Sequence, residues 1–191
     1  MKWILASKSP RRRELLSRFV TDFDIVVSDA NESYGATKPS EIVKELAKLK
    51  CDAIKDIDKS DTIVISSDTI VWADDEAIGK PKDLEDCERM MRKMSGKAHQ
   101  VYTGLCVRHY YNNEVVTEDL IAEKTDVYFD ELSDDEINEY IHTDEPYDKA
   151  GGYAVQGIFS KYISRLDGDF YTVVGFPVNA FYKIIKKNHY L

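Results

Sequence analysis

Short apolar runs separated by polar stretches set the reading of this chain, and the spacing of the apolar positions assigns most of its elements. Trp3-Ile4-Leu5, followed by polar residues, predicts a short buried strand. Ser9-Pro10 predicts a helix start, the serine as N-cap and the proline in the first turn, where a missing N–H breaks no helical bond. Leu15, Leu16 and Phe19 give that helix one apolar face. Ile25-Val26-Val27 reads as a second strand. After the break at Pro39, Ile42, Leu46, Leu49, Ala53 and Ile57 recur at helical spacing. Thr62-Ile63-Val64-Ile65 is a β-branched run that turns polar at Ser66 and resumes after Asp68 as Ile70-Val71-Trp72.

The second half reads in the same way. Asp83 is positioned to cap a helix ending at Gly96, with Glu85 and Asp86 early and Arg92 and Lys93 late, as the helix dipole favours. His99 to Arg108 and Val115 to Phe129 read as long strands around an Asn112-Asn113 turn. Ser133 and Glu136 form a capping box for a helix running to about His142. A loop from Pro146 to Gly157, strands around Gly168 and a helix after Pro177 complete the chain. Strands and helices mixed without strict alternation predict an α/β protein whose sheet is mixed and flanked by helices. With no repeat or Pro/Gly-rich linker, one domain over residues 1–191 is expected, with room for two lobes around one cleft.

Composition narrows the function. Twenty-six basic against thirty-five acidic residues give a net charge of −9, which argues against sequence-independent binding to nucleic acid or an anionic membrane. A small anionic ligand remains compatible, because a local basic pocket can sit in an acidic surface. The N-terminal stretch turns polar by Ser7, so neither a signal peptide nor a spanning segment is expected. Cys51, Cys87 and Cys106 are isolated and odd in number, which favours reduced thiols in a cytoplasmic protein over a disulfide or zinc site.

Three segments break local rules. Arg11, Arg12 and Arg13 occupy the first turn of the first helix, where the dipole favours acids. Together with the Ser7 and Ser9 hydroxyls they outline a phosphate cradle, the plainer alternative being a solvated basic helix start. Asp68 interrupts an apolar run, and an unpaired buried carboxylate is expensive. It either pairs with Lys80 or Arg12 or holds a metal or a water, and the residues alone leave both open. Asp148 to Gly157 carries two adjacent glycines and Gln156, whose amide can donate and accept toward a base edge. A loop of this kind is also what a tight turn requires. His99 and His142 are expected to be structural.

Taken together, these segments resemble the Maf family along essentially the whole chain. Leu5-Ala6-Ser7-Lys8-Ser9-Pro10-Arg11-Arg12 with Glu14-Leu15-Leu16 is similar to its N-terminal signature. Asp68-Thr69-Ile70-Val71, Gly79-Lys80-Pro81, and Ser95-Gly96 with His99, Val101 and Thr103 resemble its middle motifs. Glu145-Pro146, Asp148-Lys149-Ala150-Gly151, Tyr153 and Gln156-Gly157 resemble the last, and Val174-Gly175-Phe176-Pro177 the closing turn. Ser66-Ser67 stands where the family usually has Gly-Ala, and Gly152 and Ala154 exchange small residues in the final loop.

The resemblance implies a fold like that of inosine triphosphatases, a nucleotide held in a cleft, and a homodimer. It implies a catalytic carboxylate at Asp68, the dTTP and UTP specificity signature at Arg12, Thr69 and Gln156, and further substrate-binding positions at Ser7, Glu32, Lys50 and Lys80. That signature points away from the branch acting on methylated guanine nucleotides. The implied reaction is hydrolysis of a nucleoside triphosphate to the monophosphate and pyrophosphate. A divalent cation, Mg²⁺ or Mn²⁺, would assist water attack on the α-phosphorus, with ligands the sequence does not identify. Such an enzyme would limit incorporation of non-standard nucleotides or influence cell division. The rival reading is a nucleotide-sensing cell-division regulator without turnover, which the family's association with septum formation keeps open.

Overall fold

The computed structural model describes residues 1–27, 30 and 32–190. The elements in order are β1 (Lys2–Leu5), α1 (Pro10–Ser17), β2 (Asp24–Ile25), α2 (Pro39–Asp52), β3 (Asp61–Ala73), β4 (Glu76–Ile78), α3 (Leu84–Met94), β5 (Ala98–Tyr111), β6 (Glu114–Phe129), α4 (Asp134–Ile141), β7 (Ile163–Asp167), α5 (Phe170–Val174) and α6 (Val178–Lys187). Three short 3₁₀ turns, Pro146–Asp148, Ala150–Gly152 and Ile158–Tyr162, fill the stretch between α4 and β7. The strand order is β2-β1-β3-β5-β6-β7, with β4 paired to β3. β1 runs parallel to β2 and β3, with Leu5 opposite Ile25 and Ile65, whereas β3–β4 and β6–β7 are antiparallel. The sheet is therefore mixed and flanked by helices, as the irregular alternation of elements predicts.

The chain divides into two compact units. Unit 1 comprises Met1–Asp68, Thr103–Glu123 and Gly175–Leu191; unit 2 comprises Thr69–Tyr102 and Lys124–Val174. In unit 1, Ile4, Val64 and Cys106 from the strands, with Ala6 just beyond β1, pack with Ala47 and Cys51 of α2. Gly104 shows how close that packing is, since a Cβ there would lie 2.0 Å from the backbone oxygen of Val43 in α2. In unit 2, α3 buries Cys87, Met90, Met91 and Met94 in a core shared with Phe129, Tyr140, Tyr153 and Phe159. The Ser133–Glu136 capping box and the Asp83 cap both form as the sequence predicts.

Several expectations need correction. The strand at Ile25–Val27 covers Asp24–Ile25 alone and both of its residues are exposed. The helix after Pro39 ends at Asp52, so Ile57 packs on the unit 1 core from outside it. β3 is unbroken through Ser66–Thr69, because the serine hydroxyls there find backbone acceptors instead of water. After Gly168 the chain enters α5 instead of a further strand. Gly168 has φ 137°, and Asp169 accepts from Thr172 N at 2.8 Å, starting a helical turn.

Candidate active site

Unit 1 gathers its polar centre from the segment after β1, the end of α2, the middle of β3 and the entry to α6. Beyond β1 the backbone passes through Ser7, which is buried. Its Oγ accepts from Ser9 N at 3.2 Å and from the Arg12 guanidinium at 3.3 Å. Ser9 is the N-cap of α1, its Oγ accepting from Arg12 N at 3.4 Å, which fixes the turn that carries the arginines. Arg12 Nε donates to the Gly175 carbonyl at 2.8 Å, while Arg11 is half-buried and Arg13 exposed. Burial pushes the Arg12 guanidinium down from its ordinary pKa; Asp68 and Glu32 oppose that shift and Arg11 adds to it. Arginine stays charged under any such shift, so this half-buried side chain is a fixed cation able to receive an anion.

Gly175 joins two elements through one carbonyl. Its φ is 106°, a region an L side chain rarely adopts, and its oxygen also accepts from Ser67 Oγ at 3.0 Å. Ser67 Oγ lies 2.8 Å from the Gly104 carbonyl as well, so its single proton is shared. Ser66 donates to the Ala47 carbonyl of α2 at 2.6 Å. Both serines are fully buried. Their hydroxyls tie β3 to α2, β5 and the α6 entry immediately before Asp68, which fixes the strand that presents the carboxylate.

Lys50, in the last turn of α2, faces the carboxylates. Its Nζ is in close ion-pair contact with Asp68 Oδ1 and lies 3.0 Å from Glu32 Oε1. The Asp68 and Lys50 side chains are 11% and 15% exposed, whereas Glu32 is 64% exposed. The sequence offers Lys80 or Arg12 to offset Asp68; its direct ion pair is with Lys50, and Arg12 adds a longer-range attraction. Ser7, Arg12, Glu32, Lys50 and Asp68 thus form one connected set.

Thr69, Lys80 and Gln156 belong to unit 2. There the Gly79 carbonyl accepts from Gly151 N at 2.9 Å, which joins the segment carrying Lys80 to the glycine loop. Gly151 and Gly152 both have positive φ, and a Cβ on Gly151 would meet Val71 at 2.8 Å. Gln156 is exposed in a turn closed by Gly157 N donating to Ala154 O at 3.1 Å. His99 is buried, its Nε2 2.7 Å from Tyr153 Oη, and burial lowers its pKa to about 4. His142 lies at the surface with Nδ1 2.7 Å from Asn138 O.

The donor set for a metal is modest. Among the described residues no group of three or more His, Cys, Asp or Glu side chains is arranged to hold one. Asp68 and Glu32 nonetheless converge on a single cation, the Lys50 ammonium, and are hard oxygen donors. Mg²⁺ commonly takes one or two carboxylates and completes its shell with phosphate oxygens and water, so the residues fit a cation that arrives with its substrate. Sequence reasoning misses Ser67 and Gly175 as site residues. Two hydroxyls in an apolar strand are the signal for the first, and the second carries none beyond its motif.

A model of the family described as Maf-like protein matches residues 2–188. The dTTP/UTP pyrophosphatase of Clostridium novyi (strain NT) is 46% identical over 187 residues, covering 96% of each chain. That of Lachnoclostridium phytofermentans is 41% identical over 184 residues, 96% of this chain and 93% of its own. Among solved structures, the Staphylococcus aureus Ham1 protein aligns at a TM-score of 0.40 and 14% identity, over 68% of this chain and 72% of its own, a likeness too slight to argue from.

Proposed function

This chain belongs to the Maf-like protein family, and we propose that it hydrolyses nucleoside triphosphates, dTTP and UTP foremost, to the monophosphate and pyrophosphate. The observation that carries this reading is the set of Arg12, Lys50 and Asp68: two cations and a carboxylate, with Arg12 bonded to the Gly175 carbonyl and Lys50 ion-paired with Asp68. The names of the curated relatives supply the substrates.

In this reading the Arg12 guanidinium and the Ser7 hydroxyl bind phosphate oxygens, and Lys80 adds charge. A triphosphate carries about four negative charges, so fixed cations gain most where charge builds up on the leaving pyrophosphate. Asp68 orients a water and takes its proton as the oxygen attacks the α-phosphorus. The new bond is water oxygen to α-phosphorus; the bond broken joins that phosphorus to the bridging oxygen, which leaves with its electron pair on pyrophosphate. Lys50 holds Asp68 in place and offsets the charge of Glu32. A bound Mg²⁺ or Mn²⁺, held by Asp68 and Glu32, would neutralise phosphate charge and lower the pKa of water. Thr69 and Gln156 select the base, the Gln156 amide meeting the N3–H and a carbonyl of uracil or thymine in one plane.

Asp68→Asn tests the assignment of roles. It keeps the size but removes the charge and basicity, so kcat should fall by roughly 10²- to 10⁴-fold while nucleotide affinity, read by calorimetry, largely survives. Near-normal turnover in that variant would remove Asp68 from the chemistry.

A further inference from the structure

Within unit 2 the turn that carries Gln156 is fastened by one carboxylate. Glu145 Oε2 accepts from Ile158 N at 2.6 Å and Oε1 accepts from Phe159 N at 3.1 Å, so both oxygens cap the first backbone donors after the turn. Tyr140 Oη reaches Glu145 Oε1 at 3.1 Å and the Gly152 carbonyl at 3.0 Å, its single proton shared between the two sides of the loop. Glu145 is itself tethered, since Lys149 Nζ donates to its backbone carbonyl at 2.7 Å.

Gly157 adds an independent observation. Its φ is −105° and ψ −159°, a conformation open to any residue, so backbone freedom does not require glycine there. Space does: a Cβ would lie 2.0 Å from Glu145 Oε2 and 2.4 Å from its carboxyl carbon. The residue next to Gln156 is therefore small because the Glu145 carboxylate lies under it.

We propose that Glu145 is the positioning residue for base selection, fixing through the backbone of Gly157–Phe159 the direction in which Gln156 presents its amide. The inference rests on the reading of Gln156 as the base-selecting side chain. Glu145 belongs to unit 2 with Gln156, so in this reading its loss acts on which nucleotide is taken and leaves the bond-breaking step alone.

The test is kcat/KM for UTP and for ATP in the wild type and in Glu145→Gln, Glu145→Ala, Gly157→Ala, Glu145→Ala/Gly157→Ala and Gln156→Leu. Glu145→Gln keeps the volume but turns an amide donor toward a backbone N–H, so the UTP-to-ATP ratio should fall by roughly tenfold, the effect of losing one hydrogen bond to a charged group. The fall should come through KM for UTP, with kcat at saturating UTP nearly unchanged. Gly157→Ala should do the same by displacing the carboxylate, and because the displaced atoms are the end of a flexible side chain the fold should survive it. In the double variant the alanine has no carboxylate to displace, so the two effects should not add. If Glu145→Gln does not fold, Gly157→Ala alone carries the test. A ratio that collapses in Gln156→Leu but holds in folded Glu145→Gln and Gly157→Ala overturns the role of Glu145 and leaves base selection by Gln156 standing. A ratio that survives Gln156→Leu overturns both.

Discussion

Acid should destabilise this protein through His99 in a way one substitution can isolate. The imidazole is 3% exposed, packed edge-on to Phe129 at 4.6 Å and to Tyr153 at 5.4 Å between ring centres. Nε2 is bonded to Tyr153 Oη, and Nδ1 has no hydrogen-bond partner among the described residues. Burial lowers its pKa from 6.5 to about 4. Between those values the unfolded chain binds a proton that the folded chain refuses, so stability falls as pH falls through 6.5 and levels off below about 4. The whole fall is worth roughly 3 kcal/mol, of which about 2 kcal/mol is lost by about pH 5. His99→Gln keeps an amide for Tyr153 but cannot titrate. Urea unfolding of both proteins near pH 7.5 and near pH 5 gives the difference with other groups cancelled. The wild type should lose about 2 kcal/mol more than the variant over that interval. Equal losses would mean that His99 charges in the folded state at ordinary cost, and the burial argument would be wrong.

Two further outcomes follow from the packing and the cradle. Gly104→Ala places a methyl against the Val43 carbonyl, a backbone atom that moves only with α2, and should lower the urea midpoint by an amount worth on the order of 1–3 kcal/mol with the m-value unchanged. Arg12→Ala should raise KM for UTP more than it changes kcat, and more at low salt than at high, since the lost interaction is electrostatic; a salt-independent change would assign Arg12 to packing.

Where the sequence was legible, a local rule and the fold agree. Ser9, Asp83 and Ser133 all cap helices as their spacing predicts. Asn112 and Asn113, at φ 50° and 68°, make the two-residue turn between β5 and β6. The β3–β4 hairpin was not legible, because Asp74 and Asp75 adopt the same positive φ without the Asn or Gly that signals it, so β4 goes unpredicted. The polar break at Ser66–Ser67 misleads for a different reason. Its hydroxyls are satisfied by carbonyls of residues 47, 104 and 175, partners that no local window contains. The same holds for Asp68, whose partner Lys50 lies eighteen residues earlier on another element. Residue types at the site can be read from the chain, but their pairings are long-range facts.

The bond broken and the nucleotide that carries it together define the activity. Purified protein incubated with Mg²⁺ or Mn²⁺ and, separately, UTP, dTTP, CTP, ATP and GTP, with products resolved by ion-exchange chromatography, measures both at once. Monophosphate and pyrophosphate should appear in equal amounts, with UTP and dTTP turned over well ahead of the purine nucleotides. Diphosphate with orthophosphate, or tight binding without any product, would overturn the assignment.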